Sequence, residues 1–450
     1  MMKYLLQLPF FLAILLSIPS MAQQSNTLSL NQAWEQASNT YPGLKAQEAH
    51  IGEYEFNKKE VQSRSLPQVQ LQAQNSYGTF AGSNGAFFPV PGIFNVTGNS
   101  STAETGQNAA VNTYGSVLMD WKIFEFGKQR KAVEAAEYQV QGAKSSYDAA
   151  GLSLKTKVTR LYFEILYSYS NLIWAKQHVK RVKEIMDLSV SLAQAGLKPG
   201  ADTSLTSSSY SQAMAYQKEW QGKYNASKIN MTEVVPQQDF VLPQESFLLY
   251  NDLQQNTDSV SLSHPYLQVL NKEVLYEKAR EAFASRKVFP TLSILGGLST
   301  RGSDINTHRN YNYTNNYLIG IGLTWNISGA YTSSLEKKRA EKTVQSVVAK
   351  YELQKLQMNT SLAAVSERIL QQQQQVLENN MAQNKAKEAY ELYLSRYEGG
   401  LINLTDLLQI QFLLQSAEKE AIEAQQVLWS LVTTHSEISG DFNYLSTHFN

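Results

Sequence analysis

Cysteine is absent from all 450 residues, which excludes disulfides, thiolate metal sites, a cysteine nucleophile and acylation of an N-terminal cysteine. Any attachment to a membrane therefore has to come from the fold itself. Net charge is absent as well: Lys plus Arg and Asp plus Glu number 39 each, so no overall field draws the chain to nucleic acid or to an anionic surface. Beyond the N-terminus no segment approaches 18 continuous apolar residues, which excludes membrane-spanning helices but not a β-barrel, whose strands are individually weak signals. The six histidines show no metal-ligand spacing, and there is no H-E-x-x-H, phosphate loop or Gly-x-Ser-x-Gly. The expectation is a chain without catalysis, cofactor or metal.

Lys3, an apolar run from Leu5 to Ile18 and Ser20-Met21-Ala22 have the layout of a cleavable secretory signal over residues 1–22. The run is too short to span a bilayer, about 14 residues against roughly 20.

The rest is written twice. An offset of 204 carries Trp121 onto Trp325, Tyr147 onto Tyr351, Gly196 onto Gly400, Leu197 onto Leu401, Asp202 onto Asp406 and Ala213 onto Ala417. Upstream the offset is 223, where Tyr41-Pro42-Gly43-Leu44 answers His264-Pro265-Tyr266-Leu267 and Pro67 answers Pro290. Such self-similarity marks two copies of one long motif sharing a core. The first repeat is assigned to 23–235, with a strand hairpin at 66–122 and a long helical hairpin at 128–234. An equatorial connecting segment, 236–262, leads to the second repeat at 263–450, with a strand hairpin at 289–327, a helical hairpin at 330–436 and a C-terminal tail.

Within each repeat the hydrophobic period decides the element. Leu30, Trp34, Ala37 and Leu44 predict a helix broken at Tyr41-Pro42-Gly43, with Asn39 and Thr40 placed to help cap its continuation. From Gln68 the period becomes two: Gln68, Gln70, Gln72 and Gln74 alternate with Val69, Leu71 and Ala73. Runs at 111–121, 291–299 and 317–326 alternate likewise, giving four strands. Half-buried strands of a soluble sheet would look similar. The polar faces, however, are uncharged Gln, Asn, Ser and Thr, and Tyr77, Phe80, Tyr317 and Trp325 stand at the strand ends, as at a lumen and its aromatic girdles. Gly78–Gly106 and Arg301–Asn316 have loop composition.

No proline interrupts the chain between Gly127 and Pro199, or anywhere after Pro290. Val158, Tyr162, Ile165, Tyr169, Leu172, Val179, Met186, Val190, Ala193 and Leu197 trace a 4-3 seam in the first of these stretches. Leu362, Ile369, Val376, Tyr390, Leu394, Tyr397 and Leu401 trace another, broken by Gln373, Asn380 and Gln383. At 1.5 Å per residue each long helix would reach roughly 100 Å. After the glycine turns at 196 and 400 a shorter helix returns, with Asp202, Thr405 and Asp406 near its start as cap or dipole partners.

Four strands cannot close a barrel, and open edges are not tolerated in lipid. Three copies would give about twelve strands and as many helical columns under one axis. The expected architecture is mainly α with a small transmembrane β part: a trimeric 12-stranded barrel joined to a helical coiled-coil barrel of 12 columns, at about 100 Å too long for a membrane.

The residues around the two turns resemble the tips of the TolC family of outer-membrane export channels: Arg396-Tyr397-x-x-Gly400-Leu401 followed by Thr405-Asp406-Leu407-Leu408, and Ala195-Gly196-Leu197-Lys198-Pro199-Gly200-Ala201-Asp202. The likeness extends from about residue 28 to 434. It implies a homotrimer in outer-membrane lipid whose helical barrel crosses the periplasm and docks by its tips on a periplasmic adaptor, which meets an inner-membrane pump. In efflux or type I secretion the channel is then a passive conduit. Arg396, Tyr397, Gly400, Leu401, Gly196 and Leu197 would form the adaptor-facing tips, and Asp406, with Asp202 near it, the periplasmic entrance constriction. The family's second acid and its basic turn residue are replaced here by Gln409 and Ile402. The alternative is a structural or adhesive coiled-coil protein of the envelope without an open pore.

Overall fold

The computed structural model describes residues 27–79, 109–197, 199–236, 240–243, 247, 259–304 and 312–449. The expected signal at 1–22, Phe80, most of the first inter-strand loop and much of the connecting segment lie outside them.

Ser29 opens α1 (Leu30–Thr40) with a capping box: its hydroxyl accepts from Gln32 N–H, and the Gln32 side chain accepts from Ser29 N–H. Pro42 takes the first position of α2 (Pro42–Ser63), where a missing N–H does no harm. Asn39 and Thr40 do not cap α2. Its N-cap is Tyr41, without a side-chain bond, and the Thr40 hydroxyl donates back to the Gln36 carbonyl. Strands β1 (Gln68–Thr79) and β2 (Ala109–Phe124) follow, then α3 (Lys128–Gln194) and α4 (Gly200–Met231). The second half holds α5 (Pro265–Arg286), β3 (Thr291–Asp304), β4 (Asn312–Thr324), α6 (Gly329–Glu398), α7 (Leu404–Ser439) and a short α8 (Asn443–His448). β3 and β4 run further into 301–316 than its loop composition suggests, because Thr300 to Ser303 continue the ladder with Asn312 to Asn315.

The strands form one antiparallel meander, β1-β2-β3-β4, and the β2–β3 ladder joins the two halves of the chain. Its register puts Leu71, Val117, Leu298 and Tyr317 in one cross-strand row and Val69, Met119, Gly296 and Ile319 in the next, while Gln72, Ser116, Ser299 and Asn316 share the opposite face. The apolar rows face outward: Leu71 is 83% exposed and Ile319 78%. Exposure of that size on paired strands fits lipid and not water. At the base of the sheet the repeat recurs as a hydrogen bond. Trp121 Nε1 donates to the Ser65 carbonyl and Trp325 Nε1 to that of Val288, both at 3.0 Å.

The helices form two tiers. Nearer the sheet the neighbours run α2, α3, α5, α6; farther away they run α4, α3, α7, α6. α3, of 67 residues, and α6, of 70, pass through both tiers. The other two columns are spliced from shorter helices, α4 below α2 and α7 below α5. At the second splice His264 Nδ1 accepts from Tyr266 N–H, capping α5, and its Nε2 lies 3.0 Å from the Glu437 carbonyl in the last turns of α7. Arg160 of α3 pairs with the Glu437 carboxylate, and Lys157 pairs with Glu233 at the first splice.

The main core surrounds these splices. Phe163 stacks on Trp429 with centroids 5.5 Å apart, and Phe449 meets both edge-on. The end of the chain is tied in by Leu30 N–H donating to the Phe449 carbonyl at 3.0 Å. Along α3 the seam drifts below Leu172. Ala175, His178, Val182, Ile185 and Ser189 are buried there, Val179, Met186 and Val190 only partly so. The reason is that α3 packs on α4 and α7 at once, so its buried stripe lies between the two apolar tracks.

Candidate functional site: the hairpin tips

Both tips end in the same turn. Gly196 and Gly400 sit at φ +72° and +73°, the left-handed region that residues with a Cβ avoid. Leu197 N–H reaches back to the Leu192 carbonyl at 3.0 Å, and Leu401 N–H to that of Arg396 at 2.8 Å. A second bond, spanning fewer residues, joins Gly196 N–H to the Ala193 carbonyl and Gly400 N–H to that of Tyr397, both at 3.0 Å. This pair of bonds closes a helix on orphan carbonyls and reverses the chain within a few residues. The leucine that follows each glycine does not fold back on its helix: Leu197 is 70% exposed and Leu401 77%. Each tip thus presents one large apolar side chain on a rigid turn, with Arg396 also exposed.

Tyr397 behaves differently from its neighbours. Its side chain is fully buried among Ile185, Tyr390, Leu404 and Leu407, so it supports the tip from within and offers no docking surface. Burial pushes its hydroxyl pKa up, a hydrogen bond with Ser189 of α3 opposes this, and the nearby charge of Asp202 adds to it. Tyr397 and Asp202, from different hairpins, are thereby brought together.

The two aspartates stand in the first turns of α4 and α7, where the helix dipole favours negative charge. Neither is an N-cap. Pro199 begins α4 without a side-chain bond, and at α7 the cap is Asn403, whose Oδ1 accepts from Asp406 N–H at 2.9 Å. The Asp406 carboxylate is left with no hydrogen bond or ion pair among the described residues, and Thr405 is exposed.

About 15 residues above the first tip, α3 is bolted to α7 through contacts that the repeat does not announce. Arg181 grips the Glu418 carboxylate with both guanidinium nitrogens, Nη1 to Oε1 at 2.9 Å and Nη2 to Oε2, both side chains being largely buried. One turn away Gln411 Nε2 meets His178 Nδ1 at 2.9 Å, and the imidazole lies parallel to the Trp174 ring. Burial, helped by the Arg181 charge, holds the His178 pKa down to about 4. The clue in the sequence is a charge or imidazole inside an apolar seam, as at Arg181 beside Val182 and Glu418 beside Ala417.

Among the described residues no group of His, Asp and Glu is arranged to hold a metal ion, and no helix is long and apolar enough to cross a membrane.

The model of the outer membrane efflux protein family matches residues 33–235 and 258–430. Among solved structures, the chain is similar to the CmeC outer membrane channel of Campylobacter jejuni, with a TM-score of 0.76 at 15% identity over 94% of this chain and 90% of that one. The outer membrane protein VceC of Vibrio cholerae gives 0.73 at 17% identity, over 91% and 96%. The MtrE outer membrane channel of Neisseria gonorrhoeae gives 0.71 at 17%, over 92% and 89%. A comparison with curated protein sequences finds no match.

Proposed function

The chain belongs to the outer membrane efflux protein family, and from that premise we propose that three copies close into one passive conduit, opened at its periplasmic end by an adaptor that links it to an inner-membrane pump. Its place is the outer membrane, with the helices in the periplasm.

The observation that carries the trimer is the unclosed sheet. Among the described residues β1 and β4 each have one edge without a partner, on a sheet whose outer face is apolar. In lipid every such edge has to be paired. Three copies pair β4 of one with β1 of the next, and the same rotation sets α6 of one against α4 of the next, since these are the outer columns of the lower tier.

The tip geometry supports docking and a constriction. Leu197 and Leu401 supply apolar knobs that a partner covers, with Arg396 at their rim and Gly196 and Gly400 setting the turn. The free Asp406 carboxylates of three protomers form an acidic ring at the entrance, with Asp202 beside Tyr397 behind it. Tests begin with the detergent-corrected mass, by light scattering, of the chain extracted from outer membranes. A trimer is expected, followed by ion conductance in planar bilayers. A water-soluble monomer overturns the assembly, and a trimer without conductance leaves an envelope stalk.

A further inference from the structure

The sheet-proximal part of α6 repeats a face of α3 that is covered inside the chain. Three contacts define that face of α3. A Cβ built on Gly142 lies 3.8 Å from Lys272 Cβ of α5, Ser153 hydrogen-bonds with Tyr266 of α5, and Arg160 pairs with Glu437 of α7. Along the same stripe Ser145 and Thr156 are buried. The offset of 204 carries the stripe onto Ser346, Ala349, Thr360 and Ala364 of α6, all exposed, with Leu353 and Leu356 uncovered between them at 53% and 64%. The other side of the joint has its copy too. The offset of 223 carries Lys272 back to Ala49 of α2, which is exposed, and Ala279 back to Phe56, where 3% exposure becomes 70%. One joint is thus made, α3 on α5, and the two halves of a second stand open at opposite ends of the upper tier.

Together the offsets fix a register. α2 runs toward the sheet and α6 away from it, so with Ser346 opposite Ala49 the neighbouring turns set Ala349 opposite Ala46, Lys342 opposite Glu53 and Arg339 opposite Phe56. Small side chains meet small ones, an ammonium meets a carboxylate, and a guanidinium meets an aromatic ring. All of these residues are exposed in the single chain. Glu53 and Lys342 are engaged there by His50 and Gln345, each three residues away on its own helix.

We propose that α6 of one copy docks on α2 of the next in this register, reproducing between chains the joint of α3 on α5, with Ser346 seated on Ala49. The inference rests on the trimer proposed above and names the residues that its copies bring together. The occupant is a second copy because the surface that fits α6 is built by the same motif and stands uncovered at the far edge of this chain.

A chain without cysteine suits disulfide trapping, since two Cβ atoms about 3.5 to 4.5 Å apart can be bridged. Full-length Ser346→Cys with Ala49→Cys is oxidised with copper phenanthroline in outer membranes and run on non-reducing gels. Covalent dimers and trimers are expected, at least tenfold above either single variant. Gly142→Cys with Lys272→Cys is expected to close within one chain, as a disulfide located by peptide mass mapping. Thr360→Cys with Ala49→Cys, roughly 20 Å out of register, is expected to stay uncrosslinked. Should the first pair not fold, Ala46→Cys with Ala349→Cys takes its place on the same stripe. Light scattering on the same samples separates the two readings. A trimer by mass that yields no covalent trimer overturns the register and leaves the conduit standing, as does equal cross-linking of the Thr360 pair. Failure of the Gly142 pair to close removes the template and the assignment with it. A monomer by mass overturns both.

Discussion

Replacing Gly400 isolates what the tip turn requires. A Cβ built there meets no atom within 4 Å, and the same holds at Gly196, so the chain itself has room for a larger side chain. The obstacle is backbone conformation, φ +73°. Holding a residue with a Cβ in that region costs about 1 to 2 kcal/mol, toward the upper end for a β-branched side chain, whereas asparagine visits it with less penalty. At about 1.4 kcal/mol per factor of ten, 2 kcal/mol lowers the population of the intact turn roughly 30-fold relative to alternatives. Gly400→Val should therefore release the Leu401-to-Arg396 and Gly400-to-Tyr397 bonds and misplace Leu401, with the splices and sheet untouched. The assay is accumulation of a fluorescent efflux substrate in cells whose only channel is the variant, beside trimer mass and melting temperature in detergent. Expected is lost efflux in Gly400→Val, near-normal efflux in Gly400→Asn, and a trimer in both. Wild-type efflux in the valine variant would refute the role of the turn. Equal failure of valine and asparagine would shift the cause from φ to side-chain bulk at a docking surface.

Arg181→Ala or Glu418→Ala alone leaves a buried charge unpaired and should destabilise by about 3 to 5 kcal/mol, whereas Arg181→Met with Glu418→Leu should be close to neutral; thermal melts of the three variants decide. His178 has a folded pKa of about 4 against an ordinary 6.5, so between these values the unfolded state binds more protons. Stability should fall as pH drops through 6.5, by up to about 3 kcal/mol, and level off below about 4. His178→Gln should remove that slope in melts recorded across the window, and an unchanged slope would assign it to other groups. Asn403→Ala should cost about 1 kcal/mol as a lost cap. Asp406→Ala should cost only a few tenths as a lost dipole partner, while altering conductance or cation preference of the closed channel; an identical current trace would remove Asp406 from the entrance.

Much of this was legible because repetition and periodicity are local signals. The offset of 204 located both glycine turns, and alternation located the strands, down to the tryptophans whose indoles reach the Ser65 and Val288 carbonyls. What stayed hidden depends on which surfaces meet. Tyr397 sits in a short motif beside exposed residues, and it is buried in a cluster that draws Ile185 from the other hairpin as well as Tyr390, Leu404 and Leu407 from its own. Asn403 is the cap of α7 although Thr405 and Asp406 stand close by with equally suitable side chains, a choice that backbone geometry makes and composition does not show. His178 lies one position from the expected seam, since a helix with two partners buries a stripe that neither partner alone defines. Phe449 shows the same limit at the chain end: nothing near it in sequence announces that it closes an aromatic core with Phe163 and Trp429.

The alternation of unbroken and spliced columns has a mechanical consequence. A continuous rod transmits torque along its length, whereas two rods butted end to end transmit compression and only as much torsion as their joint resists. α3 and α6 act as torsion bars from tip to sheet. The ends of α4 and α7 are held to one of these bars, α3, where Glu233 pairs with Lys157 and Glu437 with Arg160. A twist imposed at the tips thus has a continuous path to the sheet in two of the four columns, and in the other two it meets joints marked by two glutamates that lie 204 residues apart.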